Sequence, residues 1–127
     1  MSYKNCIQQA ALALCMVQPY AISAPGPSAT KEISHLLGFI QESPCAFTRN
    51  GKAHSGQDAK KHIQDKRDYF VDDIQSAEDF VRLSATQSEL SRKAYTVRCP
   101  GQAEEPSKDW LLRELKRYRS NLAKPTP

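Results

Sequence analysis

Apolar residues recur at helical spacing in the first well-patterned part of the chain. The positions concerned are Ile33, Leu36, Leu37 and Ile40. Intervals of three and four residues place them on one face of an α-helix. Thr30 precedes them as a suitable N-cap residue, and a Ser-Pro pair at residues 43–44 stops the pattern. We therefore predict a first helix that opens at Thr30.

Two short extended segments follow, and Asn50-Gly51 separates them. Asn and Gly both tolerate the positive φ of a type I′ turn, so this pair predicts a β-hairpin over residues 45–54. Alternation places Cys45, Phe47 and Arg49 on one face of its first strand.

A second alternating segment predicts a half-buried strand over residues 94–99, with Tyr95, Val97 and Cys99 on one face. Pro100-Gly101 ends it. We expect this strand to pair beside the strand of Cys45.

Serine residues mark the starts of two further predicted helices. Ser55 precedes a helix with Ala59 and Ile63 on its apolar side, and Ser76 precedes two acidic residues that suit a helix N-terminus. These helices are either nearly continuous or kinked near Ser76. A last helix starts at residues 106–107, and its apolar residues are Trp110, Leu111, Leu115, Tyr118 and Leu122.

Together these elements predict a single α+β domain over residues 30–122. It has about four helices packed on a small antiparallel sheet of about three strands, and residues 123–127 form a disordered tail. The connection at 87–93 is mostly polar and is predicted to be a loop.

The N-terminal residues are typical of a cleaved secretion signal over residues 1–23. Lys4 supplies the positive charge, residues 10–17 are apolar, and small residues at positions 21 and 23 suit cleavage before Ala24. The alternative is an ordinary buried N-terminal helix. Residues 24–29 then form a Pro/Gly/Ser linker. No apolar stretch approaches the roughly 20 residues that span a bilayer, so we expect an exported protein without a transmembrane segment once the signal is removed.

Cleavage would remove two of the four cysteines, leaving Cys45 and Cys99 in an oxidising compartment. We predict a disulfide between them. It would close a loop of about 55 residues and contribute about 4 kcal/mol. A metal pair or a redox pair is the alternative, but the wide spacing without a CxxC motif argues against both.

Charge changes this interpretation little. The chain has 127 residues and a formal net charge of +4, of which cleavage removes Lys4. This small excess of positive charge falls well short of the clustered basic surface that nucleic-acid-binding proteins have, so we expect no nucleic-acid partner.

The three histidines are the first candidates for chemistry. His35 beside Leu36 is expected at the edge of the core. His54 and His62 bracket the turn into the second helix, and Asp58 and Asp65 could complete a metal site with them. Ser55 lies next to His54, but a helix N-cap is its simpler role. The sequence contains no HExxH motif, so we expect no metal and no other cofactor.

Other catalytic signatures are weak. The acidic residues that could form a carboxylate pair are Asp72, Asp73, Glu78 and Asp79, and their positions suggest solvent-facing or N-terminal helix sites. The sequence has no GxSxG motif and no glycine-rich phosphate loop. A disulfide would also remove the thiols from nucleophilic chemistry.

A polar cluster around the hairpin turn is the most conspicuous candidate binding site. We expect Arg49, His54, Lys66 and Arg98 to converge at one end of the sheet, where they could bind a carboxylate or phosphate. The full predicted surface comprises Arg49, Asn50, His54, His62, Lys66 and Arg98. An ordinary turn with flanking charges is the alternative.

Several segments together resemble a known family. They are residues 47–51, the helix with His62 and Lys66, residues 77–80, the strand at 95–98, and the final helix with its Trp, Glu and Arg residues through Arg119. They resemble the uncharacterised Gram-negative periplasmic proteins of the DUF5329 family over most of residues 31–119. The resemblance implies a signal peptide, a periplasmic location and no established activity, and it transfers no site residue.

The sequence therefore predicts a non-catalytic periplasmic binding or interaction module. Its expected partner is another envelope or secreted protein, or a small anionic ligand, and one version is an immunity or inhibitor protein. The alternative is a small periplasmic hydrolase or metal-binding protein that uses His54 and His62.

Overall fold

The computed structural model describes residues 26–125, which form four α-helices and a four-stranded antiparallel sheet. The helices are α1 (Pro27–Glu42), α2 (Gly56–Tyr69), α3 (Ala77–Ser84) and α4 (Ser107–Leu122). The strands are β1 (Ala46–Arg49), β2 (Lys52–His54), β3 (Thr96–Arg98) and β4 (Glu105–Pro106), in the order β2-β1-β3-β4. The predicted α+β fold is confirmed. The signal segment 1–23 and the last two residues of the predicted tail lie outside the described residues.

Helix α1 begins earlier than the sequence pattern predicts. Pro27 occupies its first turn, where the fixed φ of proline suits a helix and its missing N–H costs nothing. Thr30 is therefore inside the helix and not its N-cap, and its backbone N–H donates to the carbonyl of Gly26 at 3.0 Å. Residues 27–29 of the predicted linker thus form helix, and Ala29 is buried.

The sheet is built around the predicted hairpin. Asn50 and Gly51 have φ values of 52° and 78°, as a type I′ turn requires, and Arg49 pairs with Lys52. Strand β1 also pairs with β3, with Ala46 opposite Arg98. The fourth strand, β4, is two residues long and was not predicted.

The predicted disulfide is confirmed. Cys45 and Cys99 extend the β1–β3 register by one position, and their sulfur atoms are 1.98 Å apart. The bridge therefore ties together the two central strands of the sheet.

Helices α2 and α3 are separate elements. The side chains of Ser55 and Ser76 accept hydrogen bonds from the backbone N–H groups of Asp58 and Asp79, so both serines are N-caps as predicted. A 3₁₀ turn over Val71–Asp73 divides the two helices, earlier than the kink considered near Ser76.

The core lies between the helices and the inner face of the sheet. Its fully buried large side chains include Ile33, Leu36, Ile40, Ile74, Phe80, Val81, Val97 and Leu111. Trp110 packs between Phe39 and Phe47, with ring centroids 4.5 Å and 5.5 Å apart. Leu122, which was expected to supply apolar surface to the last helix, is 67% exposed. None of the helices within residues 26–125 has the length and apolar character needed to cross a membrane.

The start of α2 packs directly on the end of α1. A Cβ atom added at Gly56 would lie 2.3 Å from the carbonyl oxygen of Ile40. Such an approach is possible only for glycine, so this residue fixes the position of the helix that carries His62 and Lys66.

Candidate functional site

The hairpin and α2 border a surface that contains most of the predicted binding residues. We define the hairpin–α2 surface as Arg49, His54, His62, Lys66 and Tyr95. Two adjoining depressions share Arg49, His62 and Tyr95 in their linings. His54 lines the first depression and Lys66 the second. Asn50 also lines the second depression, so the structure brings five of the six predicted residues together.

The first depression has a volume of about 330 Å³, including space open to solvent. Apolar side chains form much of its wall, namely Phe47, Ala59, Ile63 and the ring of Tyr95. The polar residues that complete the lining are Thr48, Arg49, His54, Asp58, His62 and Ser107. An apolar wall with a few polar groups is the usual composition of a small-ligand pocket.

Arg49 lies where the two depressions meet, at the end of β1, and is half-buried. Within residues 26–125, its guanidinium forms no ion pair. Removing an arginine from water without a counter-ion costs free energy, and an anionic ligand would recover it. Its five N–H donors can bind a carboxylate or phosphate in bidentate geometry.

His62 is a neutral histidine at the centre of this surface. Burial, together with the positive charges of Arg49 and Lys66, lowers its pKa from 6.5 to about 4, against the opposing effect of Asp65. Its Nε2 lies 3.0 Å from the hydroxyl oxygen of Tyr95. The imidazole is therefore uncharged at neutral pH and available for hydrogen bonding.

Lys66 occupies one acceptor position of the Tyr95 hydroxyl. Its ammonium group donates to the carbonyl of Gln87 at 2.7 Å and to the hydroxyl oxygen of Tyr95 at 3.2 Å. The Tyr95 hydroxyl shares a further hydrogen bond with Nε2 of His62, and where Tyr95 donates this bond the ring proton of His62 is on Nδ1. Lys66 also pairs with Glu89 at 3.3 Å. Its donors are thus used inside the protein, where they attach α2 to the 87–93 loop.

Asn50 has a similar structural use. Its side chain donates to the hydroxyl of Ser88 at 3.4 Å and accepts from the hydroxyl of Ser91. Asn50 therefore joins the hairpin turn to residues 87–93, which were predicted to be a loop. In the structure these residues form a turn that is closed by a hydrogen bond from Ser88 N–H to the carbonyl of Lys93.

Arg98 lies apart from the other predicted residues. It pairs with Ala46 at the opposite end of β1 from Arg49, and cross-strand partners share a face. That face is the outer one, whereas Arg49 shares the inner face of Phe47. Arg98 is 4.0 Å from Glu104 and lines a different depression with Pro100. The predicted convergence of Arg98 with Arg49 is therefore wrong.

Three of the other candidate groups, Glu78, Asp79 and His35, have structural partners, whereas Asp72 and Asp73 are exposed. Glu78 pairs with Arg119 and Asp79 with Arg82, and hydrogen bonds hold the pKa of both carboxyls below its usual range. His35 lies at the core edge as predicted, 2.8 Å from the buried Glu114. Its ring stacks on Tyr118 at 4.0 Å, a contact that braces α1 against α4.

The proposed metal ligands do not assemble into a site. Over residues 26–125, no three histidine, cysteine or acidic side chains are arranged to hold a metal ion. His54, Asp58, His62 and Asp65 line one shallow depression without forming such a group.

Three apolar side chains beside this surface were not predicted from the sequence. Tyr69 and Leu90 line the second depression and are 81% and 98% exposed, and the neighbouring Val71 is also exposed. The exposure of a single apolar residue depends on the tertiary fold, so the sequence gives little warning of it. The one signal among these three residues was the isolated Leu90 between Glu89 and Ser91 in a polar loop.

These features define a small, disulfide-linked α+β domain with a preformed polar and apolar surface beside its hairpin. The chain belongs to the DUF5329 family, described as a family of unknown function, whose model matches residues 27–119. No curated protein and no solved structure matches it. Family membership therefore supplies no residue roles, and any function must be argued from the surface itself.

Proposed function

We propose that this protein is an exported, non-catalytic binding module that recognises an anionic group on the hairpin–α2 surface. The observation that carries the proposal is the half-buried Arg49, which has no ion-pair partner among residues 26–125 and stands beside an apolar depression. A carboxylate or phosphate bound there would pair with Arg49 while its apolar part contacts Phe47 and Ile63.

The proposed location is the periplasm. The signal predicted over residues 1–23 supports export, and the Cys45–Cys99 disulfide suits an oxidising compartment. Cell fractionation with N-terminal sequencing tests this location. We expect a periplasmic protein that starts at Ala24, and an uncleaved cytoplasmic chain would contradict the export proposal.

The proposed partner is an envelope or secreted protein that presents the anionic group, and an inhibitor of a secreted toxin or lytic enzyme is one form of this function. A binding role is supported because Glu78, Asp79 and His35 have structural partners, and because His54, His62, Asp58 and Asp65 do not form a metal-ligand group within residues 26–125. Elemental analysis of the purified protein tests the alternative in which His54 and His62 bind a metal. Stoichiometric metal would contradict our proposal.

His62 can report directly on the anion site. Because Arg49 contributes to the low pKa of His62, an anion paired with Arg49 should raise that pKa by roughly 0.5 to 1. We expect this rise when the His62 ring resonances are followed by NMR during pH titration in phosphate, with chloride at equal ionic strength as reference. Phenyl phosphate should act at lower concentration than inorganic phosphate, because its ring can contact the apolar wall.

Two arginine variants make this experiment specific. Arg49→Ala should itself raise the pKa of His62 and abolish the further response to phosphate. Arg98→Ala is the matched control, since Arg98 lies on the other face of the sheet, and it should respond as the unmodified protein does. If phosphate and phenyl phosphate leave the pKa of His62 at its chloride value, Arg49 does not bind anions and the proposal is wrong.

A further inference from the structure

The second depression combines exposed apolar side chains with an ordered backbone. Leu90 is 98% exposed and Tyr69 81% exposed, and both line this depression together with Phe70. Water contact with such side chains is unfavourable, and a cluster of them beside a groove is typical of an interaction site. The volume of the groove is about 1210 Å³ including space open to solvent, which exceeds that of the first depression.

The loop that carries Leu90 is fixed from several sides. Ser88 is buried, and its hydroxyl accepts hydrogen bonds from Asn50 and from the backbone N–H of Ser91. Arg92 adopts a left-handed conformation with φ of 62°, and its N–H donates to the carbonyl of Ser88 at 2.9 Å. Lys66 holds the start of the loop through the carbonyl of Gln87. Leu90 is therefore presented in a preorganised position, which lowers the entropy cost of binding a partner.

The charges around the groove favour one kind of occupant. Four charged side chains line it, and both acids have cationic partners: Glu89 is 3.3 Å from Lys66, and Asp65 is 3.9 Å from Lys61. Within the described chain, Arg49 is the charged lining group that lacks an ion pair. The groove thus has charge complementarity for a single carboxylate next to apolar groups.

We propose that the second depression binds a peptide segment of a partner protein that carries one acidic residue beside apolar residues. Its carboxylate pairs with Arg49, and its apolar side chains pack between Tyr69 and Leu90. This inference rests on the proposed function, because the same Arg49 receives the anionic group. A membrane surface is disfavoured as the occupant, since the exposed Asp68, Asp72 and Asp73 lie within four residues of Tyr69 along the chain and would repel anionic lipid headgroups.

The test uses the purified protein with its disulfide intact and a phage-displayed library of random peptides. We expect enriched peptides to share an acidic residue next to aromatic or aliphatic residues. Synthetic copies labelled with a fluorophore should bind with an affinity that falls about tenfold or more in Leu90→Asp and in Arg49→Ala, as at an interface hot spot. Leu122→Asp is the matched control, because Leu122 is also exposed but lies at the end of α4, and it should leave the affinity unchanged.

Three results would overturn the inference. Either no peptide is enriched, or the enriched peptides bind Leu90→Asp as tightly as the unmodified protein. The third is that the unmodified protein binds phosphatidylglycerol vesicles but none of the peptides. The His62 titration separates these failures from failure of the proposed function. If phosphate still raises the pKa of His62, anion binding at Arg49 stands and only the peptide partner is rejected. If it does not, the proposed function itself fails.

Discussion

Between pH 6.5 and about 4, acidification should destabilise this domain mainly through one residue, His62. In the unfolded chain a histidine takes up its proton near pH 6.5, whereas in the folded protein the pKa of His62 is about 4. Between these values the unfolded state holds more protons, so the free energy of unfolding falls as pH falls. The stability that neutral His62 contributes is therefore fully present above about pH 6.5 and is lost by about pH 4.

The magnitude follows from the difference between the two pKa values. At about 1.36 kcal/mol per pH unit, lowering the pKa from 6.5 to about 4 corresponds to about 3 kcal/mol. Solvent reaches part of the His62 ring and screens the charges of Arg49 and Lys66, which reduces the expected loss to about 2 kcal/mol. That is a large fraction of the stability of a domain of this size.

The assay is urea unfolding at a series of pH values, followed by fluorescence of Trp110, which is buried and is the single tryptophan of the chain. His62→Gln keeps a hydrogen-bonding side chain opposite Tyr95 but cannot titrate, so its stability should be flatter than that of the unmodified protein between pH 4 and 6.5. His54→Gln leaves His62 and its hydrogen bond in place and should retain the unmodified slope. Equal slopes for the unmodified protein and His62→Gln would refute this reasoning.

Three further substitutions test the packing that supports the surface, each measured by urea unfolding at pH 7. Gly56→Ala should destabilise the domain by about 2 kcal/mol or more, because its Cβ would overlap the last turn of α1. Gly38→Ala has open space around its Cβ and should stabilise the domain by about 0.5 kcal/mol. Equal effects of the two substitutions would contradict the proposed close approach of α2 to α1. Replacing Cys45 and Cys99 together with alanine should cost about 4 kcal/mol, since the bridge joins residues 54 positions apart, and a loss near zero would contradict its stabilising role. Ser76→Ala should cost about 1 kcal/mol through loss of the α3 N-cap, and an unchanged urea midpoint would show that this hydrogen bond contributes no stability.

Local sequence patterns were sufficient to predict the hairpin, the helices and the disulfide. Asn50-Gly51 predicts its turn because few residues tolerate two consecutive positive φ values. Strand β4 was missed because two residues carry no detectable alternation, and its pairing depends on β3. The first turn of α1 was missed because a Pro/Gly/Ser composition was interpreted as a linker, although proline also suits the first turn of a helix.

The candidate surface was predictable only in part. The structure places Arg49, His54 and Lys66 of the expected cluster near one another, because the hairpin leads directly into α2, and His62 lies among them. The expected convergence of Arg98 with Arg49 could have been rejected on the sequence alone. Val97 faces the core, so strand alternation directs its neighbour Arg98 outward. The exposure of Tyr69 and Leu90 had no such signal, since it results from how the 87–93 loop closes over α2.

The pairing of β1 with β3 has a consequence for the order in which this protein folds. Ala46 and Arg98 are neighbours in the sheet although about 50 residues separate them along the chain. Helices and the hairpin form from local contacts, whereas a strand pair of this separation must first close a long loop, which slows its formation. We therefore expect the helices to form early and the sheet to be completed late, when oxidation of Cys45 and Cys99 secures it. The hairpin–α2 surface depends on Tyr95 immediately before β3, so this surface should be complete only after that last step.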